Sequence, residues 1–157
     1  MMHRRSLLLA VPAILALSAC GVSPRASSKS MSPDALPLQP GETQQLRQLI
    51  NKYADHYEVP RTLVHRVVQR ESGYNPTASN GRYMGLMQID PRTASSMGHS
   101  GSARELLDAE TNLKYAVKYL RGAWLVSDGS EEKAVGWYAR GYYYEAKRRG
   151  VLHKVSG

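Results

Sequence analysis

Residues 67–76 read VVQRESGYNP, and these ten residues point both to the fold class and to the place where chemistry is to be sought. Val64, Val67 and Val68 precede Glu71 by seven, four and three positions, so on an α-helix all four side chains share one face. Glu71 therefore continues an apolar stripe with a carboxylate that points inward or into a cleft. Gly73 suits the left-handed residue that ends a helix, and Asn75-Pro76 keeps the helix from resuming. In that last turn, burial and the negative end of the helix dipole both disfavour the ionised form and raise its pKa. A carboxyl group held in this way keeps a proton at neutral pH and can give it to a leaving group. Position alone equally suits a core glutamate satisfied by a nearby arginine.

Helical spacing recurs on both sides of this segment. TQQLRQLINKYADHY (43–57) repeats Leu46, Leu49, Ile50, Tyr53 and Tyr57, which predicts a helix ending before Pro60, and a second is expected from about Pro60 to Ser72. From Asn75 to Gln88 the pattern breaks into Gly, Ser, Asn and Pro, with YMGLMQI (83–89) as a short apolar run suited to a small hairpin or an irregular loop. Asp90-Pro91 reads as an N-cap followed by proline at the first helical position, opening a short helix over Arg92 to Met97. SARELL (102–107) starts another helical turn. AETNLKYAVKYLRGAWLVS (109–127) is the longest helix and the expected centre of the core, with Leu113, Ala116, Val117, Leu120 and Trp124 on one face. After the turn DGS (128–130), a last helical stretch capped by Ser130 is predicted to run to Arg149 and to stop at Gly150. The expectation is a mainly α, single compact domain with at most a small β-hairpin.

The first residues belong to a different kind of segment. MMHRRSLLLAVPAILALSAC has a basic start (His3, Arg4, Arg5), an apolar run from Leu7 to Leu17 and small residues before Cys20, the pattern of an export signal too short for an ordinary spanning helix. LSAC at 17–20 resembles a bacterial lipoprotein box, which implies removal of residues 1–19 and acylation of Cys20. Cys20 is the only cysteine, so the chain forms no intramolecular disulfide. Two or more acyl chains anchor stably to a membrane where one does not. Residues 20–41 are rich in Ser and Pro and read as a flexible tether, leaving 42–157 as the folded domain. The formal charge of the chain is +8; loss of Arg4 and Arg5 leaves 19 basic residues against 13 acidic, or +6. Outside the cytoplasm, that balance suits an anionic polymer or membrane face better than a nucleic acid. The five histidines make no HExxH and have no cysteine partners, so neither a metal site nor a cofactor is expected, and His65, off the face of Glu71, is expected to be structural.

ESGYNP (71–76), GLMQI (85–89), LLDAETNLKYAVKYL (106–120) and AVGWYARG (134–141) follow one another in an order that resembles the lytic transglycosylase domain of the soluble, goose-lysozyme-like type. The resemblance implies a lysozyme-like α fold with a substrate groove. It also implies action on peptidoglycan glycan strands in the periplasm, by a chain expected to be a monomer. In the lipoprotein pattern, Gly21 after the lipidated Cys20 favours anchoring at the outer membrane. Glu71 matches the family's catalytic acid/base. Gly85, Met87 and Gln88 match the GLMQ block, Tyr138 the tyrosine of the AYNxG block, and Ser79 falls near a sugar-contacting serine. Two positions depart from the pattern. Ala139 replaces the usual asparagine, and Asp90 stands where an apolar residue is common; its expected role is the N-cap rather than a second catalytic carboxylate. Both departures leave room for a non-catalytic peptidoglycan-binding scaffold, and a muramidase using water remains the nearest enzymatic alternative.

Overall fold

The computed structural model describes residues 36–155, so the export signal, Cys20 and most of the tether lie outside the described residues. Among these residues the helices α1 (Gln44–His56), α2 (Arg61–Ser72), α3 (Pro91–Ser96), α4 (Ala109–Leu125), α5 (Glu131–Arg140) and α6 (Tyr143–Arg148) are joined by loops, with a 3₁₀ turn at Ala103–Leu107 before α4 and another at Leu152–Lys154 after α6. Four of these helix starts have a local cause. The side chains of Thr43, Asp90, Asp108 and Ser130 accept a backbone N–H in the first turn of α1, α3, α4 and α5. Ser102 and Glu105 form a reciprocal capping box on the first 3₁₀ turn. Gly73 closes α2 in the left-handed conformation expected of it.

As the sequence predicts, α4 is central. Leu113, Ala116, Val117 and Leu120 are fully buried, and the helix packs on α1, α3, α5 and the first 3₁₀ turn. Trp124 is only partly buried; Ala123 and Val126 take the inner positions near the end of the helix. Residues 75–90 form an irregular loop rather than a hairpin, with isolated antiparallel bridges at Ser79–Met84 and Met84–Ile89. The architecture is mainly α. Among the described residues no helix is long and apolar enough to cross a membrane.

Two features differ from the sequence reading. The last helical stretch is not continuous to Arg149: it breaks at Gly141 (φ 87°, ψ 142°), and α6 starts again at Tyr143. The break turns Tyr142 inward against α4, where its ring occupies the space a β-carbon on Gly122 would need, only 2.3 Å from the built position. Packing there decides the backbone, although the residues around Gly141 would otherwise continue a helix. The Tyr142 hydroxyl is buried without a hydrogen-bond partner among the described residues, and burial pushes its pKa up. Tyr142→Phe keeps the ring and removes the stranded hydroxyl, so it is expected to raise stability by about 1 kcal/mol, read as a higher urea midpoint with unchanged slope. A lower midpoint would mean that the hydroxyl has a partner in solution.

The second difference is at the start of the domain. Residues 36–41, which read as the end of a tether, are pinned to α1. Arg47, buried, donates to the carbonyl oxygens of Leu36 and Pro37 and pairs with the Glu42 carboxylate at 2.6 Å. Burial alone would raise the Glu42 pKa, but the Arg47 guanidinium, the Gln39 N–H and the His65 side chain outweigh it and lower the pKa. His65 lies between Tyr74 (3.2 Å) and Asn51 (3.1 Å), a structural position as expected.

Candidate active site

The stripe of α2 behaves as its spacing requires: Val64, Val67 and Val68 are fully buried, and Glu71 follows them with a side chain one quarter exposed. It opens into a cavity of about 360 Å³ shared with Arg70, Asn80, Tyr83, Gln88, Tyr138 and Ala139, a volume at the lower end of ligand sites. Burial raises the Glu71 pKa; the Arg70 guanidinium, 3.7 Å away and half exposed, lowers it by less. That contact is too long and too wet to make Glu71 a satisfied core ion pair. The group is positioned to stay protonated further up the pH scale than an ordinary glutamate.

The opposite wall depends on a loop that α4 holds in place. Asn112, fully buried, donates through Nδ2 to the carbonyl oxygens of Met84 and Leu106, each at 2.8 Å, and accepts the Met87 N–H at 2.9 Å. Gly85 lies against this amide with φ 74°, and a β-carbon there would fall 2.2 Å from Asn112 Nδ2 and from the Leu106 carbonyl oxygen. The close approach that Gly85 permits is thus toward the core. Gln88, also at positive φ (47°), donates to the carbonyl oxygens of Ala78 and Gly85, and its Oε1 is the polar end not used by the loop. Tyr138, buried on α5, donates to the Met87 carbonyl oxygen at 2.9 Å. Burial first, then the charge of Glu71, push its pKa well up, so the phenol keeps its proton. With that proton given to Met87, the hydroxyl offers the cavity only an acceptor lone pair, which favours a protonated Glu71 over an ionised one.

Glu71, Gln88 and Tyr138 therefore line one cavity, with Met87 beneath it and Gly85 in its support. Ser79 is exposed in the loop, where its hydroxyl accepts the Gly81 N–H and lies 3.2 Å from the Met84 sulfur; its neighbour Asn80 lines the cavity instead. Asn80 and Tyr83 escape a sequence reading because only the loop path brings them to Glu71. Asn112 carried a signal: it lies four residues before Ala116 on the buried face of α4, a polar residue in an apolar stripe.

Gln88, Tyr83, Tyr138 and Ala139 also border an adjoining hollow that contains Asp90, Arg82 and Arg140. Asp90 caps α3 through the Arg92 N–H at 2.9 Å and meets the guanidinium groups of Arg92 (3.1 Å) and Arg82 (3.3 Å). The hydrogen bonds from Arg92 lower its pKa to about 2. A carboxylate so weakly basic is poorly suited to activate water at neutral pH. Among the described residues, no group of three or more His, Cys, Asp or Glu side chains is arranged to hold a metal ion.

The membrane-bound lytic murein transglycosylases C of Haemophilus influenzae strains PittEE and PittGG are each 36% identical to the chain over 80 residues, covering 46% of this chain and 22% of the relative. The chain thus spans less than a quarter of the length of these curated relatives. No solved structure matches it at a significant level. The transglycosylase SLT domain pattern matches residues 48–150, from α1 to the end of α6, and so covers Glu71, the Gly85–Gln88 loop and Tyr138 together; the chain belongs to the transglycosylase SLT domain family.

Proposed function

We propose that the domain is a murein lytic transglycosylase that cleaves the β-1,4 bond between N-acetylmuramic acid and N-acetylglucosamine in peptidoglycan. Glu71 acts first as acid, giving its proton to the glycosidic oxygen as the C1–O bond breaks. The N-acetyl carbonyl oxygen of the muramyl residue supports the electron-poor C1, which removes the need for a second carboxylate as nucleophile. Glu71, now ionised, takes the proton of the muramyl O6 hydroxyl as that oxygen bonds to C1, closing a 1,6-anhydro ring. Both proton transfers balance on one side chain.

The observation that carries this reading is the placement of two carboxyl groups: Glu71 ends an apolar stripe and opens into the cleft with only a long contact to Arg70, whereas Asp90 is held by the Arg92 N–H and by the guanidinium groups of Arg92 and Arg82. Gln88 and Tyr138 line the cleft toward the sugar, Met87 and Gly85 hold that wall, and Ser79 contributes from the rim of the loop. Cys20 carries the lipid that keeps the domain at the periplasmic face of the outer membrane. Incubation with purified sacculi tests the assignment. The chain is expected to release soluble glycan fragments, and Asp90→Asn, which keeps a good N-cap, is expected to release them at a rate within about threefold. Binding without release would instead mean a scaffold, and inactivity of Asp90→Asn would mean a two-carboxylate mechanism.

A further inference from the structure

Arg140, the last residue of α5, stands at the position the AYNxG pattern leaves open, directly after the alanine that replaces the usual asparagine. Its guanidinium lies over the Trp137 ring, 3.9 Å from the centroid. Other arginines around it are committed: Arg82 and Arg92 to Asp90, Arg148 and Arg149 to Glu145. Among the described residues no carboxylate lies within ion-pair distance of Arg140. It is also placed where three hollows meet in sequence. The Glu71 cavity shares Ala139 and Tyr138 with the hollow that Arg140 borders, and Arg140 with Gly141 continues into a third, walled by Trp137, Tyr143 and Tyr144. Tyr143 and Tyr144 are 57% and 84% exposed, so apolar ring surface faces solvent just beyond the guanidinium.

An arginine stacked on an indole has fewer conformations to lose when it binds, and its planar fork matches a carboxylate. We infer that Arg140 is a specificity-determining residue that pairs with a carboxylate carried on the side branch of the glycan. This rests on the glycan-cleaving reading above. In peptidoglycan that charge lies on the stem peptide where one is attached, because the amide bond consumes the lactyl carboxyl, and on the lactyl group of the muramyl ring where the peptide has been removed; a neutral amino-sugar polymer has neither. Ala139 shortens the wall between the Glu71 cavity and Arg140, which leaves the branch a path to the guanidinium. Arg140 thereby biases the groove toward anionic strands.

Binding, read without turnover, tests the inference. The full chain carrying Glu71→Gln, with and without Arg140→Gln, is titrated with glycan strands in three forms: stem peptides intact, peptides removed to leave the lactyl carboxylate, and that carboxylate converted to a methylamide. Arg140→Gln is expected to weaken binding about fivefold on charged strands and to leave the neutral form unchanged, with the difference shrinking at high salt. Weakening confined to intact strands identifies the stem peptide as the source of the charge, weakening confined to peptide-free strands identifies the lactyl group, and weakening on both means that Arg140 takes a carboxylate from either. Equal weakening on all three forms, or none on any, overturns the assignment. Failure of the wild-type chain to cut strands would count against the catalytic reading alone, because the affinity ratio is measured on an uncut ligand.

Discussion

Glu71→Gln is expected to lower the rate of glycan cleavage by about a thousandfold or more while leaving the helical signal and strand binding in place. Glutamine has nearly the same shape but can neither give a proton to the glycosidic oxygen nor take one from O6, and a positioned acid/base of this kind contributes roughly two to four decades. The pH dependence of the wild type follows from the raised pKa of Glu71. The free enzyme must hold the proton, so kcat/KM is expected to fall as pH rises through that raised value. Stability runs in the same sense. A carboxyl group whose folded pKa lies above its unfolded value, about 4.3, contributes fully below the unfolded pKa and loses that contribution as pH rises through the folded one. Glu71→Gln is therefore expected to raise the thermal midpoint slightly at neutral pH. A variant that stays active, or that unfolds more easily, would contradict the role given to this residue.

Asn112→Ala is expected to cost about 3–5 kcal/mol of stability, and to reduce cleavage even at temperatures where the variant is folded. One buried amide holds the Met84 and Leu106 carbonyl oxygens and the Met87 N–H, so its loss leaves three backbone groups unpaired next to a new cavity. The same loop presents Gln88 to the cleft and the Met87 carbonyl oxygen to Tyr138, so its loosening reaches the site directly. Asn112→Asp keeps the volume but turns an acceptor toward two carbonyl oxygens, and is expected to be damaging as well. Urea unfolding with parallel rate measurements checks both variants; a cost below about 1 kcal/mol would show that the loop is held by other means.

Glu71 was legible because a single rule exposes it: a charged residue in register with three valines on one helix face. Asn112 obeys the same rule on α4 and was open to the same reading. The break at Gly141 was not, because the inward turn of Tyr142 is set by the space above Gly122, a contact between residues twenty apart in sequence. The docking of residues 36–41 was hidden for another reason. Their acceptors are the backbone carbonyl oxygens of Leu36 and Pro37, and composition carries no mark of which carbonyl a buried arginine will reach. Asn80 and Tyr83 join Glu71 through the path of an irregular loop, where neither a helical nor a strand period applies. Local rules thus pointed to most of the helices and to the place of Glu71, while long-range packing completed the cavity around it.

The central claim is that one carboxyl group cuts the strand and that O6, not water, takes the broken bond. Digestion of sacculi by the full chain in ¹⁸O-labelled water, followed by mass spectrometry of the new muramyl ends, measures this directly. The expected ends are 1,6-anhydro, lighter by one water than a reducing end and free of label. Reducing ends that carry ¹⁸O would contradict the claim and make the enzyme a hydrolase.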